Sequence, residues 1–141
     1  MLSAAITAVS GSSSVIELGV CSYSNRIKHD ILGVSEKTLA EFSEYSTQSA
    51  EEMALGAMRL AGADFGVATT GVAGPTGGSE EHPVGEVCIA VCSKNGIHSK
   101  RYVFDKLADG APSVRDSVRA QAARKALMLL DLKIMTEIKA L

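Results

Sequence analysis

Apolar positions in this chain switch between two spacings, and the switches mark the elements. Residues 65–70 and 85–92 are short continuous apolar runs bounded by turn residues, the pattern of buried strands. Residues 97–104 follow the second run after Lys94-Asn95-Gly96. Asn-Gly suits a tight hairpin, so this segment is predicted to be the antiparallel partner. Residues 18–24 alternate apolar and polar side chains and predict a further strand. Between these lie helical spacings. Residues 3–9 are helix formers that stop at the small polar cluster Ser10-Gly11-Ser12-Ser13-Ser14. Residues 25–32 place Ile27, Ile31 and Leu32 on one helical face and Lys28 on another. Ser35 is placed to cap a short helix through Leu39 to Phe42, and Ser46 or Thr47 opens a longer one to about Ala61. The stripe of that helix is Ala50, Met53, Ala54, Ala57, Met58 and Ala61. After a polar stretch, residues 106–112, Ser113 caps the last helix, with Val114, Val118, Ala122, Ala126, Leu129 and Leu130 as its buried stripe. Past Asp131 the spacing either extends this helix or forms a separate amphipathic tail.

The segment joining the first two strands, residues 69–85, reads Thr-Thr-Gly-Val-Ala-Gly-Pro-Thr-Gly-Gly-Ser-Glu-Glu-His-Pro-Val-Gly. It holds five of the 13 glycines and two of the three prolines. Glycine costs backbone entropy and proline removes a donor, so such density marks a shaped loop and not filler. A loop of this kind can bring backbone N–H groups close to an anion. It is not a Walker A motif, because no Gly-Lys-Ser/Thr follows its glycines. A strand and not a helix comes after it, which excludes the dinucleotide fingerprint. Thr70 at its start offers a hydroxyl to a phosphate, ribose or carbonyl oxygen.

Composition narrows the partners. The chain has 141 residues, 46% apolar and 21% charged, within the range of one soluble domain with a real core. A net charge of -2 gives no electrostatic case for nucleic acid or an anionic membrane. Aromatics are scarce, at 4% without Trp, so base-stacking platforms are not expected. No apolar run approaches the roughly 18 residues of a membrane span. Cys21, Cys88 and Cys92 fit neither a disulfide set nor a metal module, which points to a reduced, cytoplasmic setting with Cys88 and Cys92 as small core residues. His29, His82 and His98 have no ligand spacing and are expected on the surface or in loops.

Two further residue sets carry candidate chemistry. Tyr23 and Lys28 bracket a strand-to-helix turn, and a lysine near a partly buried site can be driven neutral to act as a general base. An ordinary solvated lysine is the competing reading unless Lys28 faces the glycine loop. Arg119 is placed to clamp a phosphate from the last helix, or is an ordinary surface arginine.

The order of these features resembles the C-terminal domain of CinA and its stand-alone relatives, the PncC-type nicotinamide-nucleotide amidases. Gly11-Ser12-Ser13 is similar to the family's Gly-Ser-Ser turn, and Tyr23-Ser24-Asn25 with Lys28 to its Tyr-Ser-Asn-x-x-Lys. Gly33-Val34 followed by Thr38-Leu39-Ala40 resembles its Gly-Val-x-x-x-Thr-Leu-Ala. Most specific is Thr70-Gly71-Val72-Ala73-Gly74-Pro75-x-Gly77-Gly78 with Pro83-Val84-Gly85, which resembles the family's Thr/Ser-Gly-Ile-Ala-Gly-Pro-x-Gly-Gly and Pro-Val-Gly. Arg119 matches an arginine that begins the family's last helix.

The resemblance implies a three-layer α/β/α fold with a mixed sheet, frequent homo-oligomers, and hydrolysis of the carboxamide of nicotinamide mononucleotide to nicotinic acid mononucleotide and ammonia. A serine would attack the amide carbon with Lys28 as its base and Tyr23 beside it. Ser12, Ser13, Asn25, Thr70, Gly71, Gly74, Pro75, Gly77, Gly78 and Arg119 would bind the nucleotide, and no metal or cofactor would be needed. The family's nucleophile motif, Glu-Ser-Cys-Thr-Gly-Gly, lies before the part matched by Met1-Leu2-Ser3-Ala4-Ala5, so the sequence reads as truncated relative to the family, unless its start is misplaced. An inactive homologue that binds a nucleotide or serves as an oligomer or partner subunit is therefore the alternative expectation.

Overall fold

The computed structural model describes residues 1–104, 107 and 110–140. Its elements are α1 (Leu2–Thr7), a 3₁₀ turn (Ser12–Ser14), α2 (Asn25–Leu32), α3 (Glu36–Phe42), α4 (Thr47–Ala61), β1 (Phe65–Gly71), β2 (Glu86–Ser93), β3 (Gly96–Val103) and α5 (Val114–Ile138). Serines set the helix starts. Ser24, Ser35, Ser46 and Ser113 each accept a backbone N–H of the first turn of α2, α3, α4 and α5, satisfying a donor that the helix itself leaves open. Gly33 and Gly62 end α2 and α4 with φ of 70° and 62°, the left-handed conformation in which glycine has no Cβ penalty.

The described strands form one antiparallel sheet in the order β1-β2-β3. Phe65 pairs with Ser93 and Gly71 with Val87 across the first ladder; Ser93 pairs with Gly96 and Glu86 with Val103 across the second. Because strand side chains alternate, the sheet offers two apolar faces. On one, Ala68, Cys88, Ala90 and Cys92 pack with Ala50, Met53 and Ala54 of α4 and with Leu32 and Val34. On the other, Val87 and Ile89 pack with Val118, Ala122 and Ala126 of α5. The helix–sheet–helix order is the expected three-layer arrangement, with α2 and α3 laid against the outside of α4 and α1 against α5. β2 is buried along its whole length.

Four expectations change. Residues 18–24 form no strand: Leu18 and Val20 are exposed, and an alternating segment without a neighbouring ladder leaves its backbone to water. The parallel pairing that would make the sheet mixed is accordingly not among the described residues. The hairpin turn is Lys94–Asn95, one position before Asn-Gly, with Gly96 taking a φ of 130°. Lys28 shares its face with Leu32 and is buried, while Ile31 is exposed. Side chains four apart stack on one side of a helix, and contact with α4 selects that side. Past Asp131, α5 continues unbroken to Ile138. The polar stretch 106–112 lies partly outside the described residues. Among the described residues no helix is long and apolar enough to cross a membrane.

Candidate functional site

The segment Ser43-Glu44-Tyr45, between α3 and α4, ties the candidate residues together. The Thr70 hydroxyl, at the end of β1, donates to the Glu44 carbonyl at 2.6 Å, and the Cys88 thiol of β2 donates to the Tyr45 carbonyl at 3.1 Å. Two strands thus pin this segment over the end of the sheet.

Lys28 comes to the same place from α2, which approaches α4 closely because Gly56 has no side chain: a Cβ there would overlap the Leu32 carbonyl. Burial lowers the Lys28 pKa below its ordinary 10.5, and the nearby Glu44 carboxylate opposes this only in part. Tyr45 is shifted upward by burial, then by the charge of Glu44 and a hydrogen bond to it, with a smaller push from the Tyr23 phenol. The Glu44 carboxylate therefore acts on both Lys28 and Tyr45.

The glycine loop is closed at its base by two backbone bonds of 2.8 Å, Val72 N–H to the Glu86 carbonyl and Gly85 N–H to the Val72 carbonyl. Gly71 fits there because a Cβ would meet the Glu86 carbonyl. Gly74 and Gly77 take φ of 74° and 84°, and the Gly74–Pro75 peptide is cis. Val84 packs where a Gly78 side chain would stand. From Pro75 to Glu81 the loop is exposed.

The loop's link to α5 runs through Arg115, which residue patterning did not single out. Its Nη1 donates to the Gly74 carbonyl at 3.1 Å and its Nη2 lies 3.4 Å from the Tyr23 hydroxyl. Arg119, one turn on, is half exposed and 4.0 Å from the Asp116 carboxylate. Asn25 is the exposed first residue of α2. Ser12 and Ser13 lie in the 3₁₀ turn beside α1, and among the described residues neither side chain makes a hydrogen bond to the loop or to α2. The structure thus joins Tyr23, Lys28, Thr70, Gly71 and Gly74 through Glu44 and Arg115. It does not join Ser12, Ser13 or Arg119 to them by any hydrogen bond.

A second constellation adjoins the first. His82 lies in the loop but is not a free surface histidine: Nε2 is 3.0 Å from Ser43 Oγ and Nδ1 is 3.0 Å from Glu86 Oε1. Glu86 is 1% exposed, and Arg101 of β3 donates to its other oxygen. The Tyr45 ring meets the imidazole edge-on, with centroids 5.4 Å apart. No spacing along the chain announces this set. A glutamate opening an otherwise apolar strand was the one usable hint, since a buried carboxylate needs partners.

The family described as CinA C-terminal domain matches residues 1–134. The chain belongs to this family. It is 48% identical over 102 residues to a CinA-like protein of Fervidobacterium nodosum, covering 72% of this chain and 25% of that protein. It is 42% identical over 124 residues to nicotinamide-nucleotide amidohydrolase PncC of Enterobacter agglomerans, covering 87% and 71% respectively. The chain thus spans about a quarter of the CinA-like relative and most of the PncC protein. The crystal structure of competence damage-inducible protein A from Klebsiella pneumoniae superposes with a TM-score of 0.84 at 34% identity, over 95% of this chain and 79% of that one. The α/β fold is therefore that of the CinA superfamily.

Proposed function

We propose that this CinA-family domain hydrolyses the carboxamide of nicotinamide mononucleotide, releasing ammonia and nicotinic acid mononucleotide. The observation that carries the reading is Lys28: a lysine buried on α2, with its pKa lowered, beside Glu44 and the strand end that opens the glycine loop. A lysine that reaches neutrality more easily than a solvated one can take a proton from the water that attacks the amide carbon. The similarity to a protein named nicotinamide-nucleotide amidohydrolase supports the substrate.

In this reading Tyr23 and Arg115 line the approach to the loop, and the Arg115 guanidinium supplies positive charge for the phosphate beside Gly74. Thr70 is a positioning residue, since its hydroxyl is spent on the Glu44 carbonyl and holds that segment against Lys28. Backbone N–H groups of the exposed loop, with Gly77 and Gly78, are the remaining nucleotide contacts.

The test is ammonia release from nicotinamide mononucleotide by the purified chain, with Lys28→Ala alongside. General-base catalysis is worth about 10²–10⁴-fold, and a loss in that range is expected for Lys28→Ala. Tight calorimetric binding of the nucleotide with no ammonia above a heat-killed control would replace the amidase reading with a nucleotide-binding one.

A further inference from the structure

We propose that Ser43, His82 and Glu86 form a serine-type acyl-transfer relay, a reactive centre separate from the lysine chemistry of Lys28. Three observations converge on it. The first is the chain of contacts: Glu86, ion-paired with Arg101, is an acceptor, so His82 Nδ1 carries the hydrogen toward it. In the neutral imidazole, Nε2 is then the acceptor facing Ser43 Oγ at 3.0 Å. This is the order of roles in a nucleophile, base and orienting acid.

The second is burial graded along the relay. Glu86 is 1% exposed, the His82 side chain is 19% exposed, and Ser43 is partly open to solvent. The acid is held inside while Ser43 is partly exposed.

The third is the backbone of Ser43, the only non-glycine among the described residues with positive φ, at φ 71° and ψ 165°. That region is essentially a glycine region, and residues kept there cluster at functional sites. The strained carbonyl is held by two hydroxyls, that of the α4 cap, Ser46 Oγ at 2.9 Å, and that of Ser49 in its first turn at 2.7 Å. The same bonds set Ser43 beside the N-terminal end of α4, whose dipole favours an oxyanion.

The substrate class follows from the surroundings. Glu80 and Glu81 stand beside His82 in the exposed part of the loop, and Glu44 follows Ser43, so anionic acyl groups are repelled. Phe42, 45% exposed, and the Tyr45 ring offer apolar contact. Small uncharged acyl esters fit best. Ser43 Oγ attacks the ester carbon, forming the new C–O bond, while its proton passes to His82 Nε2. The tetrahedral intermediate breaks the bond to the leaving alkoxide, which takes that proton and departs as the alcohol. Water, deprotonated by the same nitrogen, then releases the acid and restores the serine.

The experiment uses a biotinylated fluorophosphonate, in which Ser43 Oγ would displace fluoride, followed by peptide mass spectrometry, with p-nitrophenyl acetate as the turnover substrate. Wild type should be labelled at Ser43 and hydrolyse the acetate. Ser43→Gly, which suits the backbone, should fold and lose the label. His82→Gln keeps hydrogen-bonding atoms but no basic nitrogen, and should label about 100-fold more slowly or less. Thermal melting of both variants confirms folding. If wild type labels no faster than Ser43→Gly, or the label sits on another serine, the contacts are structural only and the proposal falls.

Discussion

At the residue scale, Lys28 shows how burial turns a common side chain into a titrating one. The charged ammonium loses hydration on α2, so the folded chain releases that proton at lower pH than the unfolded chain, whose lysine keeps a pKa near 10.5. The sign of the linkage follows. Below the folded pKa the cost of a buried charge is present in full, and it is lost as pH rises from the folded value toward 10.5. Stability should therefore rise across that interval on account of this group. Under the amidase reading, the nucleotide turnover rate should climb through the folded Lys28 pKa, with a midpoint below 10.5. Lys28→Arg, which stays protonated, should remove turnover while keeping the positive charge. A rising limb that persists in Lys28→Arg, or a midpoint at or above 10.5, would assign the base elsewhere. Much of this site was legible before the fold was known: Tyr23, Lys28 and the Thr70 to Gly78 stretch stand out by type and order. Arg115 and His82 were not, because both act through partners distant in sequence, Gly74 and Tyr23 for one, Ser43 and Glu86 for the other. Helical spacing alone cannot choose between Arg115 and Arg119.

At the scale of elements, caps and apolar runs were readable because they act locally. Ser35, Ser46 and Ser113 accept first-turn N–H groups at the predicted helix starts, and β1, β2 and β3 differ from prediction by one residue at their ends. The face of α2 was not readable. In eight residues, Ile27 with Ile31 and Lys28 with Leu32 are equally good four-residue pairs, and only the approach of α4 decides between them. The decisive position is Gly56, where the Leu32 carbonyl occupies the space of a side chain. Gly56→Ala should therefore push α2 away from α4, destabilising the fold by about 3 kcal/mol, at the upper end for overpacking. It should also cut nucleotide turnover in the still-folded fraction, because the displaced helix carries Lys28. Denaturant unfolding and turnover at low temperature check the two parts. An unchanged unfolding midpoint would show that the helices re-seat freely, and that α2 is not held in register by this contact.

Over the whole molecule, the sheet divides the core, and β2 is the strand buried along its whole length between the two helical layers. Cys88 and Cys92 lie on its α4 side, packed with Ala50, Met53 and Ala54, whereas Cys21 is exposed in the segment before α2. Burial, helped by the charge of Glu86 and opposed by Arg101, pushes the Cys88 thiol up to about 11, and burial raises Cys92 as well. Both thiols are then unreactive for two reasons, lack of access and lack of thiolate. A native chain treated with an aromatic disulfide reagent near neutral pH should show one fast thiol, Cys21, and two slow ones. Full reaction of all three should require denaturant. Because Cys88 and Cys92 are reached only when α4 leaves the sheet, their slow rate measures the opening of that layer. Added nicotinamide mononucleotide should slow it further if the nucleotide binds across Lys28 and the loop, since a ligand that binds only the closed form stabilises it by mass action. Fast reaction of a second thiol would mean that the α4 layer opens independently of the α5 layer. In that case the two halves of the core are separate cooperative units, and the site that Lys28 shares with the loop is assembled only when both are closed.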